Sequence, residues 1–512
     1  MLALKQFQEH LKSEIIKNVG DISEISIHEI SYNSKDVKPG TLFFCKGNAF
    51  RKEYLEEAIQ KGAVAYVSEV DYGVSIPGML VTSMRRVLAP AASLFYDHPE
   101  AKLRLVGITG TKGKSTTCVY LHTIYDAWAR KYHYAPSGMI SSIYNFDGAE
   151  REDSSLSTPE PFELFSFLNR CVYNGVDTVI MEVSSQALKY GRTSGLYFQY
   201  CAFLNISEDH ISPIEHSDFA DYFRSKLRIF SQSHVAILNM GSDHFSEIEE
   251  EAAKSSKRVY VGKRGSSGKP DYILNSVEED ARGLTISLSD QECTQTVWIP
   301  THGSFNAENA LVADAIAMEM GIDRDSIREG LSNAFVPGRM EVYFSFDERL
   351  FIYVDYAHNR LSFETLLQSV REMHPNAGVL LVFGSAGGKA LNRRQDLGEV
   401  AGKYADYCVL TAEDPNYEPV QEINQDIGQY LDFMHCPWVS IEDREEALRE
   451  SIRIGREHLS EKNPLILLFL GKGAENTQKI RGNYEFYLSD SRIAQEMVDD
   501  WNKNYSSASP GK

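Results

Sequence analysis

The sequence predicts an α/β protein of three domains: a small N-terminal α/β module, a central P-loop ATPase-like domain with a parallel sheet, and a C-terminal Rossmann-like α/β domain. Three observations predict it. The 512 residues exceed what one hydrophobic core supports, so about two to four domains are expected. Short apolar runs of strand length alternate with stretches of helical period, the pattern of parallel sheets that bind ligands at their strand ends. Gly107-Ile-Thr-Gly-Thr-Lys-Gly-Lys-Ser-Thr-Thr117 follows one such run and opens a helical one, as a phosphate-binding turn does.

Residues 1–100 form the first block. Residues 1–19 carry Lys5, Glu9, Lys12 and Glu14 among apolar positions and read as an amphipathic helix rather than a signal peptide. Strands are expected at 41–44, 63–68 and 78–82, with a helix over 52–61. The second block, 101–336, begins with the phosphate loop and places apolar strands at 178–183, 200–204 and 234–238. From 257 to 300 the pattern alternates as in β-hairpins, and 306–320 returns to helix. Pro337-Gly338 marks a hinge to the third block, 337–512, with strands at 350–353, 378–383, 407–411 and 465–470. Residues 506–512 read as a disordered tail.

Composition narrows the function. Hydrophobic content of 43% and 24% charge describe a soluble globular protein, and the net charge of -20 disfavours a nucleic-acid or anionic-membrane surface. Anionic substrates would then need a locally basic pocket. Seven scattered cysteines without metal-type spacing fit a reduced cytoplasm. No apolar run is long enough to span a membrane. Small-molecule partners, a cytoplasmic location and a monomer are expected, although the residues themselves do not encode the oligomeric state.

The glycine-rich turn carries the most specific chemistry. Backbone amides of Gly110, Thr111, Lys112 and Gly113 and the start of the following helix would face phosphates. Lys114 reaches the outer phosphates as a point charge, the Ser115 hydroxyl is placed for magnesium, and Thr116 follows it. Five residues rather than four separate Gly107 from Gly113, a departure from the strict pattern. Glu182 closes an apolar strand and offers a second magnesium ligand, and the hydroxyls of 183–188 with Arg192 follow it. His210 ends a further strand, in Asn205-Ile-Ser-Glu-Asp-His210, as a metal ligand or a structural histidine. Lys226 sits in a helical run whose Tyr222, Phe223, Leu227 and Phe230 recur at core spacing, which alone reads as a snorkelling surface lysine. In the last block, Asp355-Tyr-Ala-His358, Gly384-Ser-Ala-Gly-Gly388 and Arg393-Arg394 suggest a second anion-facing surface. Glu413-Asp-Pro-Asn-Tyr-Glu418 and Gly471-Lys-Gly-Ala-Glu475 supply carboxylates suited to a cationic amine, or are solvated loops.

The order of these pieces resembles the Mur ligase family along nearly the whole chain. The matching segments are Tyr32-Asn-Ser34 with Pro39-Gly-Thr-Leu-Phe43, Gly110-Thr-Lys-Gly-Lys-Ser115, Ser157-Thr-Pro-Glu160, Glu182-Val-Ser-Ser185, Asn205 with Asp209-His210, Phe305-Asn-Ala-Glu-Asn309, Pro337-Gly-Arg-Met-Glu341, Asp355-Tyr-Ala-His358 and Gly471-Lys-Gly473. The resemblance implies domains for a UDP-sugar, for ATP and for an incoming amino acid. It also implies the reaction: ATP phosphorylates the D-glutamyl carboxylate of UDP-MurNAc-L-Ala-D-Glu, and an amine displaces phosphate to form an amide. By position, Ser34, Ser157, Thr158, Ser184 and Arg192 would hold the UDP-sugar dipeptide. Ser115 and Glu182 would bind one magnesium, and His210 with Lys226 the other, the lysine carrying a carbamate formed with carbon dioxide. Asn309 would meet the adenine, with Arg339 and Asp355 reaching ATP from the far side.

On the amino-acid side, diaminopimelate-adding relatives carry Asp-Asn-Pro-Arg, whereas this chain reads Glu413-Asp414-Pro415-Asn416. The acidic loop, with Glu418 near, suits a terminal ammonium and is similar to lysine-adding members. Arg394 would take the α-carboxylate and Glu475 the α-amine, with Gly471 opening the second loop. Two departures from the family pattern, Gln186 for His and Asn359-Arg360 for Thr-Pro, remove no required ligand. Three alternatives stay open here: another diamino acid such as ornithine or meso-diaminopimelate, a folylpolyglutamate synthetase, or a non-catalytic nucleotide-binding scaffold.

Overall fold

The computed structural model describes residues 1–508 except 48, 155, 209–210, 212–214, 267, 281, 389–390 and 460–461. The chain divides into two compact units, residues 1–273 with 312–330, and residues 274–311 with 331–512.

Two sheets organise the first unit. The smaller contains β1 (Ile15–Val19), β2 (Glu29–Ser31), β3 (Thr41–Phe44), β4 (Ala63–Ser68) and β5 (Gly78–Val81), in the order β1-β5-β4-β3-β2. All pairs are parallel except β1 with β5. The helix expected over 1–19 needs correction: only Leu4–His10 is helical, and Ile15–Val19 is a strand. Its β-branched Ile15, Ile16 and Val19 suit a pleated surface, and the open edge of β5 gives them one.

The larger sheet runs through β6 (Arg104–Thr109), β7 (Gly138–Ile140), β8 (Tyr144–Phe146), β9 (Arg151–Asp153), β10 (Thr178–Glu182), β11 (Phe198–Phe203), β12 (Ser233–Asn239) and β13 (Lys257–Lys263), in the order β9-β8-β7-β10-β6-β11-β12-β13. The pairs from β7 to β13 are parallel. Strand β6 is buried from Leu105 onward and has β10 on one side and β11 on the other. A later strand on each flank makes the C-terminal end of β6 a switch point, where such sheets open a ligand crevice. Gly107 lies inside β6, and a Cβ there would come within 2.8 Å of the Phe198 ring. It is therefore a packing glycine, and the phosphate turn starts only at Gly110, which accounts for the irregular spacing.

In the second unit, hairpin geometry begins later than the alternation over 257–300 predicts, because Lys257–Lys263 pairs parallel with β12 in the first unit. Strand β14 (Tyr272–Asp280) is followed by β15 (Gly283–Ser289) and β16 (Thr294–Ile299), the last two paired antiparallel. A further sheet contains β17 (Glu341–Phe344), β18 (Leu350–Asp355), β19 (Gly378–Phe383), β20 (Tyr407–Leu410), β21 (Trp438–Ser440) and β22 (Leu465–Leu470), ordered β17-β18-β22-β19-β20-β21. It is parallel except for β17.

Its central strands are apolar at nearly every position because helices cover both faces. Phe351, Tyr353, Val379 and Leu381 pack with Phe363, Leu397 and Ile427, whereas Leu350, Ile352, Val354 and Leu380 pack with Leu448, Ile454, Ile493 and Met497. A hairpin, β23 (Thr477–Ile480) and β24 (Asn483–Phe486), precedes the last helix, Asp490–Ala508. Residues 506–508 are thus helical where a disordered tail was expected, and 509–512 lie outside the described residues. Among the described residues no helix is long and apolar enough to cross a membrane.

Candidate active site

At the end of β6, Gly110 takes φ +152° and Gly113 φ +84°, backbone conformations that side chains rarely adopt. Helix Lys114–Tyr132 starts directly after Gly113, a cap with no side-chain oxygen to offer the first amides. Lys114 Nζ donates to the carbonyls of Gly110 at 2.9 Å and Thr111 at 3.2 Å. Asn205 braces the turn from β11: its Oδ1 accepts from Lys112 N at 2.8 Å and its Nδ2 donates to Lys112 O at 3.2 Å.

Lys226 is not a surface lysine. Helix Phe219–Leu227 turns it inward to 1% exposure, and its Nζ donates to the same Gly110 carbonyl at 2.8 Å. The ammonium lies 4.8 Å from the Tyr222 ring centroid, and the Tyr222 hydroxyl meets Thr111 Oγ1 at 3.0 Å. Burying a lysine is costly unless its donors are engaged, so this position points to a role at the turn.

The proposed first magnesium pair is connected. Ser115 Oγ lies 2.9 Å from Ser142 Oγ, and Ser142 N donates to Glu182 Oε1 at 2.6 Å. Glu182 is only 1% exposed. A hydroxyl and a carboxylate joined through Ser142 are hard oxygen donors of the kind magnesium takes. Ser142 was not singled out from sequence, having no motif of its own. Thr116 is buried in the first turn of the helix. His210 lies outside the described residues, and among those described no three or more His, Cys, Asp or Glu side chains cluster as metal ligands.

The candidate dipeptide residues meet beside β10. Thr158 Oγ1 donates to Glu182 O at 2.9 Å and accepts from Ser184 N at 3.0 Å, while Ser184 Oγ caps helix Ser185–Lys189. Arg192 donates to Thr158 O at 3.0 Å and pairs with Glu160 at 2.7 Å, leaving a buried Nε–H with no acceptor among the described residues. Glu160 also pairs with Lys46 at 2.7 Å, and Lys46 stands 4.1 Å from the Tyr32 ring centroid. Lys46 was missed from sequence; its only signal is that it follows β3. Ser157 is half-buried next to Thr158, whereas Ser34 is turned to Glu57 at 2.6 Å. Buried His216, also unforeseen, contacts Ser185 Oγ at 2.9 Å and Asp221 Oδ2 at 3.3 Å, and Lys189 pairs with Asp221 at 2.6 Å. These bonds lock the 183–189 segment to the helix that carries Lys226, and the Lys189 contact holds the Asp221 carboxyl below its ordinary range.

In the second unit, both Asp355 oxygens accept backbone amides, Met340 N at 2.8 Å and Ala357 N at 2.7 Å. Arg339 donates to Gly338 O at 3.1 Å and stacks 4.5 Å from the Tyr356 ring centroid. Gly338 is packed closely rather than loosely hinged, since a Cβ there would meet Ala474 N at 2.2 Å. Asn309 donates to Asn306 Oδ1 at 3.0 Å in a buried network that continues to His302 O.

Arg394 is 4% exposed and pairs with Glu418 at 2.7 Å and Asp426 at 2.8 Å, with its Nε–H buried and without an acceptor among the described residues. Glu418, which the sequence offered to an incoming ammonium, thus already serves this arginine. Lys472, 2% exposed, pairs with Asp414 at 2.9 Å and with Glu475. Burial opposes its charge, but the two carboxylates hold its pKa above the ordinary value. Asn416 takes φ +57°, and its Oδ1 accepts from Gly482 N at 2.9 Å. This residue joins the acidic loop to the β23–β24 hairpin. Burial pushes the Glu413 carboxyl up to about 8, against the pull of Arg444 and Lys472. Its carboxylate lies over Gly471, at φ +104°, where a Cβ would come within 2.3 Å of Oε2.

The sequence matches the description "Mur ligase middle domain" over residues 108–317 and "Mur ligase, glutamate ligase domain" over residues 338–473. It is 38% identical over 478 residues to the "UDP-N-acetylmuramoyl-L-alanyl-D-glutamate--L-lysine ligase" of Streptococcus mutans, covering 93% of each chain. To the protein of the same name in Enterococcus faecalis it is 36% identical over 484 residues, covering 94% of this chain and 93% of the other. A solved "UDP-N-acetylmuramoyl-L-alanyl-D-glutamate--2, 6-diaminopimelate ligase" superposes with a TM-score of 0.64 at 23% identity, covering 97% of this chain and 99% of that one.

Proposed function

Because the chain belongs to the Mur ligase family, we propose that it is an ATP-dependent ligase joining L-lysine to the D-glutamate of UDP-MurNAc-L-Ala-D-Glu in cytoplasmic peptidoglycan precursor synthesis. One observation supports this most: Lys114 and the buried Lys226 both reach the Gly110 carbonyl, at 2.9 and 2.8 Å, so the phosphate-binding lysine and the candidate carbamate lysine stand at one glycine-rich turn. Such a turn suits the outer phosphates of a nucleotide.

In this reading residues 1–100 bind the UDP-sugar, 101–336 bind ATP and 337–512 bind the amino acid. The loop amides and Lys114 hold the phosphates, and Asn309, Arg339 and Asp355 serve the rest of the nucleotide. Ser157, Thr158, Ser184 and Arg192 orient the dipeptide, and the buried Arg192 Nε–H is a donor suited to its carboxylate. Ser34 serves the UDP-sugar end.

Ser115 and Glu182 would hold one magnesium ion, and His210 with Lys226 a second. As an ammonium Lys226 cannot ligate a cation; losing two protons and adding carbon dioxide at its nitrogen, it becomes a carbamate that can. When bound, the two ions would offset the negative charge between nucleotide and carboxylate. The D-glutamyl carboxylate takes the γ-phosphoryl group, releasing ADP, and the amine then attacks the acyl carbon and expels phosphate.

Arg394 presents its buried Nε–H to the α-carboxylate of the incoming amino acid, and Glu475 faces the α-amine. The side-chain ammonium meets Glu413 and Asp414, the latter shared with Lys472. Lysine is favoured because Asn416 stands where a diaminopimelate-adding relative carries arginine, leaving the second carboxylate of that amino acid without a cation.

The test is ADP release measured with lysine, ornithine and meso-diaminopimelate in competition. ADP should appear only when UDP-MurNAc-L-Ala-D-Glu and an amino acid are both present, with lysine preferred. Equal ADP release without amino acid would replace the ligase reading with a simple ATPase.

A further inference from the structure

The first unit holds a cavity of about 440 Å³ that shares no residue with the phosphate loop. It lies on the turn 188–194, yet Arg192 is not among its lining residues and instead reaches Thr158 and Glu160. The cavity is therefore separate from the contacts assigned to the dipeptide.

Its lining carries four cations, Arg85, Arg86, Lys189 and Arg228, and no carboxylate. That is unusual in a chain of net charge -20. Arg86 has a distant partner in Glu14 at 3.7 Å, and Lys189 pairs with Asp221 at 2.6 Å. Arg85 and Arg228 have no carboxylate partner among the described residues. Arg85 lies 4.1 Å from the Tyr190 ring centroid, and among the described residues Arg228 donates to the carbonyls of Leu188 and Lys189, at 3.4 and 3.3 Å. Stacking fixes the plane of a guanidinium and leaves its N–H edge for hydrogen bonding in that plane.

We propose that this cavity binds a phosphate-bearing anion, either inorganic phosphate or a phosphate ester. Several cations converging from different elements match a multiply charged tetrahedral group, and arginine is the side chain best shaped for two-point contact with its oxygens. Hydroxyls of Ser83 and Ser194 on the same lining add neutral donors, whereas Ser231 Oγ donates to Arg228 O at 2.8 Å. The site stands whether or not the ligase reading holds.

The experiment is equilibrium dialysis on the full chain, with labelled inorganic phosphate in one arm and glycerol 3-phosphate in the other. A Lys114→Ala background removes binding at the phosphate loop. In that background one saturable site should persist, and adding Arg85→Gln with Arg228→Gln should weaken it tenfold or more. Ser231→Glu, which sets a carboxylate in the lining at an exposed position, should do the same by a different route. Whichever arm binds more tightly identifies the source of the phosphate. No saturable site in the Lys114→Ala protein, or unchanged affinity in both lining variants, would overturn the proposal.

Discussion

The Nζ of Lys226 sits 2.8 Å from the carbonyl oxygen of Gly110, 116 residues earlier in the chain. That bond ties the helix Phe219–Leu227 to the phosphate turn, and it sets the first prediction. Lys226→Ala should lower turnover by at least roughly 100-fold, as loss of a metal-site residue does, while nucleotide affinity changes little. Small carboxylates added to the assay should restore part of the rate. Unaltered turnover would remove the carbamate from the mechanism.

Glu413 makes the amino-acid site sensitive to pH. Its carboxyl is raised from 4.5 to about 8, so at neutral pH it is mostly protonated before substrate arrives. A cationic side chain needs the carboxylate form, and binding at pH 7 should release a proton. The KM for lysine should fall roughly tenfold per pH unit between pH 6 and 7 and level off above about pH 8. Glu413→Gln should abolish that slope while raising KM. A KM independent of pH in the wild-type protein would assign the ammonium to another residue.

The same shift bears on stability. The folded state favours the protonated Glu413, so the contribution is complete below pH 4.5 and is lost as pH rises toward about 8. Thermal unfolding of Glu413→Gln should therefore gain on the wild type progressively between these values. A constant difference across that range would contradict the raised pKa.

Arg444 and Asp490 form a buried pair with N···O distances of 2.9 and 2.5 Å, and Arg444 also donates to Ala412 O and Leu470 O. It thus anchors the backbone just before both substrate loops. Removing one charge leaves the other buried, so Asp490→Ala should cost about 3–5 kcal/mol in denaturant unfolding. Lysine KM should rise as the loops loosen. A loss under about 1 kcal/mol would mean that water reaches the pair.

Asn416→Ala should loosen the acidic loop at the tip of the hairpin by removing the 2.9 Å bond to Gly482 N, while the backbone bonds of residue 416 to Lys479 O and from Arg481 N stay in place. An expected loss of about 1 kcal/mol follows from one such bond. The more telling readout is hydrogen exchange at Gly482, which should quicken in the variant. Unchanged exchange would show that the backbone bonds of Asn416 suffice.

Much of the site was legible in the chain because short-range rules govern it. Gly110 and Gly113 at positive φ, the helix beginning at Lys114 and a carboxylate at the end of β10 follow from local spacing. Lys226 was misplaced by spacing alone: a lysine next to core positions reads as a snorkeller until the helix is docked. Ser142, Lys46 and His216 carried little signal, because each has a partner distant in sequence: 40 residues away for Ser142 and Glu182, 114 for Lys46 and Glu160, and 31 for His216 and Ser185.

By itself, then, the sequence determined the alternating α/β order, the phosphate turn and the family to which the chain belongs, since periodicity and glycine placement act over a few residues. Only the tertiary structure decided which charges are already paired. It gave Glu418 to Arg394 and Asp414 with Glu475 to Lys472, left a buried Nε–H on Arg192 and on Arg394, and raised Glu413. Ion pairing and desolvation depend on distance and burial in space, and loops from separate strand ends acquire both only when the sheet brings them together.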